Sequence, residues 1–561
     1  MNTRRPRLAP VVAIAGLMLA CAPADESDSD SNDSTIDLAA IDGVFSDFSG
    51  EDGPGCAIAV SQDGQTTLTR AYGMANLEYD VANSGETVFE PGSVSKQFTA
   101  AATIMMSLDG LIDLDDDVRE YFPELPDYGE PITIRNLIHH TSGLRDWGSI
   151  AGIEGWGRTT RIHTHKHVVD IAARQEALNY PPGEHYSYTN TGYNLQAVLV
   201  ERVTGKTFDE YSQEKIFGPL GMTKTQWRDD FTEIVEDRSV GYVQRDGEWH
   251  MLMPFENVHG NGGLLTTVSD LLKFTHNLDT GEVGGQAFID AMHRQGVLDS
   301  GREIEYAGGL FIQDYKGLEQ IAHSGGTAAY RGYLTRYPEH GLAVSVMCNA
   351  GNANAGGLAH EIVDMYLADA IVEPEEAEEG GGVEVPAATL ESYAGGYRDP
   401  LQNSFYRFAV EDGGLQLSGL GGQAAPLTAV SQTRFEHPVG IAVEFEAGDG
   451  GRPVPLFETP VNSPVRLVPV EEHTPSEAEL AQYVGEYFSH EAEVTYTVAV
   501  EDGALQLVDR YGDGRPLRPA YRDGFSGPGG MIIFSRDASG SVNGLSMSQG
   551  RVWDLRFTKT D

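Results

Sequence analysis

Residues 89–100 read FEPGSVSKQFTA. Pro91-Gly92 turns the chain, and the following run, KQFTAAATIMMSLDG, carries apolar residues at helical spacing. Ser93 therefore stands at a helix N-terminus, where aligned peptide dipoles favour developing negative charge. Lys96 lies on the same helical face, where burial would lower its pKa and let it take or hold the serine proton. The spacing Ser-x-x-Lys decides nothing alone, because Ser212 and Lys215 repeat it. That second copy sits in FDEYSQEKIFGPLG, which reads as a surface helix with no turn before it.

The surroundings of the turn predict its scaffold. Ile41, Val44, Phe45 and Phe48 recur at helical spacing, and CAIAVSQDGQTTLTRAYG reads as a hairpin closed at Asp63-Gly64. After a long, mostly helical middle come three strand-like runs, LEQIAH, YRGYLTRYPE and GLAVSVMCNA. Strands at both ends of a helical middle predict one antiparallel sheet whose first and last strands meet, with helices on its faces. Cys56 and Cys348 lie in two of these strands. Buried free thiols are the default there, and a disulfide is the alternative in an oxidising compartment. A helix in GGLAHEIVDMYLADAI closes the domain, and EPEEAEEGGGVEVPA reads as an acidic, Gly-rich linker.

Beyond the linker the sequence repeats. LESYAGGYRDPLQNSFYRFAVEDGGLQL, from Leu390, aligns without a gap to LAQYVGEYFSHEAEVTYTVAVEDGALQL, from Leu480. Both copies are short alternating strands broken by Asp-Gly and Gly-Gly turns, with no convincing helix. Each has the size of a small antiparallel barrel, which buries alternate side chains and leaves no free edge.

The balance of 84 Asp+Glu against 38 Lys+Arg, a formal charge of -46, excludes nucleic acid and anionic lipid surfaces as partners, since both require a basic face. The N-terminus is an address: Arg4, Arg5 and Arg7 precede a short apolar run ending in Met18-Leu19-Ala20-Cys21. That ending resembles a bacterial lipobox with Cys21 as the lipidation site, and simple cleavage after Ala20 is the alternative. The sequence thus divides into a signal at 1–21, an acidic tether at 22–35, a catalytic domain at 36–372, a linker at 373–385 and barrels at 386–472 and 473–561. An exported protein, periplasmic or on the outer surface, is expected, touching the membrane only through its lipid. Its oligomeric state is not legible.

Two further motifs give Ser93 its company. In PPGEHYSYTNTGYN, Tyr188-Thr189-Asn190 places a phenol and an amide two residues apart. A phenol beside a lysine ammonium can ionise near neutral pH and act as general base, and the amide can hold both the lysine and a substrate. In IAHSGGTAAYRGYLTRYP, His323-Ser324-Gly325 ends a strand, and the Gly326 N–H is placed to complete an oxyanion hole with the Ser93 N–H. HTHKH, with His163, His165 and His167, looks like a metal trap, but only His163 and His167 share a helical face and no nearby Cys or carboxylate completes a set. No metal and no cofactor is expected.

The order Ser-x-x-Lys, Tyr-x-Asn, His-x-Gly resembles the penicillin-recognising serine hydrolases: class C β-lactamases, D-Ala-D-Ala carboxypeptidases, related esterases and D-aminopeptidases. ITIRNLIHHTSGL (132–144) and GNGGLLTTVSDLLKF (260–274) look like framework segments of that family. The resemblance implies an α/β/α sandwich with an all-helical lobe and the site between them. It makes Ser93 the acylated nucleophile, Lys96 its partner, Tyr188 the base and Asn190 a substrate-orienting group, with His323, Gly325 and Gly326 lining the far wall. Where the lactamases have Lys-Thr-Gly this chain has a histidine, a weaker and pH-dependent cation, so substrates bearing a carboxylate are disfavoured.

His-x-Gly with two C-terminal barrels is similar to the D-aminopeptidases, in which an acidic residue from the last barrel binds the substrate amine. Asp523 is the candidate here, with Asp509 and Asp513 as rivals. A D-aminopeptidase or D-amino-acid amidase acting on short peptides or amides, peptidoglycan fragments among them, is the first expectation. A broad esterase, and a β-lactamase or penicillin-binding carboxypeptidase or sensor, are the alternatives.

Overall fold

The computed structural model describes residues 37–372, 383–420, 424–448, 452–527 and 529–560. The signal, Cys21, the tether and most of the linker lie outside them. The first domain opens with α1 (Leu38–Val44) and the hairpin β1 (Cys56–Gln62) and β2 (Gln65–Tyr72). Asp63 and Gly64 both take positive φ, the geometry a two-residue hairpin turn needs. Then come α2 (Lys96–Leu108), α3 (Trp147–Ile153), α4 (Asn190–Thr204) and α5 (Val268–Thr280). Four strands follow, β3 (Phe311–Tyr315), β4 (Leu318–Thr327), β5 (Tyr330–Tyr337) and β6 (Leu342–Cys348), and α6 (Ala355–Tyr366) ends the domain.

The sheet order is β2-β1-β6-β5-β4-β3, every pairing antiparallel, so the first and last strands do meet. β1 is buried on both faces. Ala57 and Ala59 point into the larger core with α2 and α5, while Cys56, Ile58 and Val60 pack with α1 and α6. The extra edge strand β3 is the part of the sheet that periodicity missed. Register puts Cys56 directly opposite Cys348, and the two form a disulfide rather than the free thiols taken as default. The decoy Ser212 is buried, not on a surface helix: its hydroxyl donates to Phe208 O at 2.8 Å and accepts from Trp227 Nε1 at 2.9 Å.

Each repeat opens with a short helix, Ala387–Tyr393 and Glu477–Tyr483, which the sequence reading did not anticipate. These helices cap the barrels with matching contacts: Tyr397 OH donates to Tyr393 O in the first, and Tyr487 OH to Tyr483 O in the second. The second barrel is closed, with eight strands in chain order. The first closes through residues 462–470, paired at one end with Val454–Thr459 and at the other with Gly395–Arg398.

Both barrels are docked on the catalytic domain through polar anchors. In the first, the Asn462 amide pairs with both backbone groups of Tyr186, at 2.6 and 3.0 Å, while Arg302 donates to the carbonyls of Thr459, Pro460 and Asn462. In the second, buried Arg145 holds Glu491, Trp553 O and Asp554 O. α3 adds Trp147, Ile150 and Ile153 to the apolar core of that barrel.

Candidate active site

The turn before α2 is a 3₁₀ turn, Gly92–Ser95, and it is forced against β4. Gly92 has φ +57, and a Cβ there would lie 2.5 Å from Gly326 N. A Cβ on Gly325 would lie 1.8 Å from Pro91 O and 2.8 Å from Ser93 N. Gly92 in the turn and Gly325 in β4 let the two segments approach so closely. The contact packs Ser93 N against Gly325 and Gly326 N against Gly92.

Lys96 is fully buried at the start of α2. Its Nζ lies 3.2 Å from Ser93 Oγ, 3.0 Å from Asn190 Oδ1 and 2.7 Å from Asn261 O. Burial holds its pKa well below the ordinary lysine value, and the charges of Arg551 and Arg158 push the same way. Loss of its proton leaves Nζ two hydrogens for the Asn190 and Asn261 oxygens and a lone pair for the Ser93 hydroxyl.

Tyr188 presents its ring to Lys96, with Nζ 4.7 Å from the centroid. Burial raises its pKa. Interaction with Ser93 and the charge of Arg551 oppose the rise without cancelling it. Burial thus opposes the ionised phenol expected from the sequence as it opposes the lysine ammonium, because desolvation penalises both charged forms. The Tyr188 hydroxyl is buried and faces Ser93.

The segments around Tyr188 are tied together tightly. Asn190 starts α4 behind the cap Thr189, and its N–H donates to Asp146 Oδ2 at 2.8 Å. Asp146 also caps α3 through Ser149 N. Thr189 N donates to His140 Nδ1 at 3.2 Å, and the buried His140 ring lies 4.3 Å from that of Tyr188.

His323 is not the pH-dependent cation expected of it. It is buried, donates from Nδ1 to Ser324 O at 2.6 Å and takes a contact from Tyr306 OH on Nε2 at 3.3 Å. Burial above all holds its pKa at about 3, so it is neutral at physiological pH.

The barrel contribution differs from the expectation in residue and in sign. The Asp523 carboxylate is engaged within its own barrel, accepting from Tyr483 OH at 2.8 Å and from Arg536 Nη2 at 2.7 Å. Asp509 closes a turn, taking Tyr511 N and Asp513 N, and both rivals line a cavity against residues 152–157. The residue the second barrel delivers to the site is Arg551, whose Cζ lies 4.7 Å from the Tyr188 ring centroid. It occupies a Gly turn between the last two barrel strands, Val542–Gln549 and Val552–Lys559, and nothing in SQGRVW marks it. Asn261 O also escaped sequence reading, because a backbone carbonyl carries no side-chain signal.

The histidine run forms no trap of its own. His163 faces Trp156 O, and His167 caps its helix through Thr164 N while facing Arg161. His165 instead turns to His259 and Glu201, and one ligand atom from each of the three falls within 4.8 Å of the others. That trio could hold a metal ion.

Residues 41–366 match the Beta-lactamase family. A D-aminopeptidase of Cereibacter sphaeroides is 26% identical over 473 residues, covering 84% of this chain and 86% of its own. A penicillin-binding protein of Bacillus subtilis is 26% identical over 429 residues, covering 72% and 92%. The octameric penicillin-binding protein homologue from Pyrococcus abyssi superposes with a TM-score of 0.54 at 24% identity, over 77% of this chain and all of that one. A match across more than half its length makes this chain a member of the Beta-lactamase family.

Proposed function

We propose that the protein is a serine hydrolase of the D-aminopeptidase type, working through an acyl-enzyme on Ser93. The observation that carries this reading is the buried Lys96 amine held among Ser93 Oγ, Asn190 Oδ1 and Asn261 O. Lys96 takes the serine proton as Oγ attacks the carbonyl. The amides of Ser93 and Gly326 receive the charge that develops on the carbonyl oxygen. The neutral Tyr188 hydroxyl, next to Ser93, returns a proton to the leaving amine and is recharged through Lys96. Water then enters and the same groups run in reverse to release the acid.

The similarity to D-aminopeptidases extends over 84% of the chain and therefore past the catalytic domain into the barrels, which favours amides and short peptides of D-residues as substrates. A second reading, an esterase on the same machinery, is favoured by the uncharged His323 wall. The Cys56–Cys348 disulfide supports an oxidising compartment and hence export, with Cys21 as the lipid anchor.

The test is Ser93→Ala, with a fluorophosphonate probe and a D-alanine anilide as substrates. Both labelling and hydrolysis are expected to vanish. Labelling that persists in the variant removes Ser93 as nucleophile.

A further inference from the structure

The Arg551 guanidinium has no hydrogen-bond acceptor among the described residues, although it sits beside the reacting groups. The nearby carboxylate, Asp146 Oδ2, is 3.9 Å from Nη1 and already accepts from Asn190 N, while Oδ1 accepts from Ser149 N and Oγ. Its side chain is 43% exposed, so the head is open to solvent.

The backbone beneath it is fixed. Arg551 O accepts from Asn179 Nδ2 at 3.0 Å and from Asp146 N at 3.4 Å, and Trp553 N returns a bond to Asn179 Oδ1 at 2.9 Å. A surface arginine in a loose turn would sweep through solvent. This one is anchored on both sides and lies over Tyr188. The same ring receives Lys96 at 4.7 Å, so the turn places a positive charge beside the groups around Ser93.

We propose that Arg551 is an anion-binding residue of the acyl-transfer site, and that preferred substrates carry a carboxylate next to the scissile bond. The proposal rests on the serine-hydrolase reading and narrows it. An amine-binding acid from the last barrel would select for a substrate ammonium. A guanidinium in the barrel turn offers instead two parallel N–H donors that match a carboxylate. With His323 neutral on the opposite wall, recognition of a substrate carboxylate falls to the barrel rather than to the sheet. Arg551 also influences Lys96 through its charge, so the telling quantity is a ratio between matched substrates and not the activity of a variant by itself.

Two isosteric pairs make the test. On the leaving side these are D-alanine 4-carboxyanilide and D-alanine 4-carbamoylanilide; on the acyl side, the anilides of D-aspartate and D-asparagine. For each compound kcat/KM is measured, together with the concentration that halves fluorophosphonate labelling of Ser93, which needs no turnover. In wild type, one pair is expected to favour the carboxylate about 10- to 100-fold in both readouts, as a charge-assisted hydrogen bond would. Arg551→Gln is expected to bring that ratio to about one, and Arg551→Lys to retain part of it. Whichever pair responds locates the anion on the acyl or the leaving side. Ratios near one for both pairs in wild type, or a carboxylate preference that survives in R551Q, overturn the proposal while leaving Ser93 chemistry intact. Failure of the probe to label Ser93 at all would instead overturn the serine-hydrolase reading.

Discussion

Replacing Glu491 with alanine should loosen the second barrel from the catalytic domain, because the Glu491–Arg145 pair is the buried charge that joins them. The two side chains are only 5% and 1% exposed. Glu491 Oε1 also accepts from Glu176 N at 2.8 Å, so the substitution strands a guanidinium and a backbone donor together. Breaking a buried ion pair from one side costs about 3–5 kcal/mol, because the remaining charge is left unpaired out of water. Arg145 keeps Trp553 O, Asp554 O and Gln175 Oε1 as acceptors, which places the loss near the lower end, about 3 kcal/mol. At 1.4 kcal/mol per decade this shifts the docking equilibrium about a hundredfold toward the released barrel. Calorimetry should then show a lowered or split transition, and kcat/KM should fall because Arg551 leaves Tyr188. Glu491→Gln keeps the acceptor oxygen and should lose less. The exposed pair Lys166–Asp170, 80% and 47% open to solvent, is the control: Asp170→Ala should cost less than about 1 kcal/mol. An E491A protein with the transition and kcat/KM of wild type would refute the reasoning.

Two other outcomes follow from the same site and scaffold. The folded state keeps Lys96 unprotonated at pH values where an unfolded lysine, with its ordinary pKa near 10.5, still binds a proton, so the unfolded chain binds more protons and stability rises with pH. Lys96→Met should flatten that slope in denaturant titrations on the acid side of pH 10.5, and wild-type kcat/KM should fall as acid protonates the amine. Reducing Cys56–Cys348, which spans 292 residues, should destabilise by up to about 6 kcal/mol on chain-entropy grounds. The check is a urea midpoint that drops with reductant in wild type and not in the double Cys→Ser variant.

What was legible in the sequence depended on how far each signal reached along the chain. Ser93-Val94-Ser95-Lys96, the hairpin at Asp63-Gly64 and the repeat with its paired Val-Glu-Asp-Gly turns are local patterns, and they translate directly into the observed elements. The pairing of Cys56 with Cys348 was undecided because it depends on register between strands nearly three hundred residues apart, which a single sequence leaves free.

The electrostatics were misread for a related reason. His323 and Tyr188 were assigned their charges from chemical type, whereas burial sets them: it suppresses the imidazolium, the phenolate and the lysine ammonium alike. The barrel residue was missed because an arginine in a Gly turn is the least remarkable of surface patterns. It acquires meaning only when Arg145 and Asn179 of one domain grip the backbone of another. The barrels therefore act on catalysis through position: Asn462 of the first fixes the backbone two residues before Tyr188, and the second sets a charge over its ring. Specificity in this chain resides in a docking interface whose residues carry no motif, around a catalytic core whose residues do.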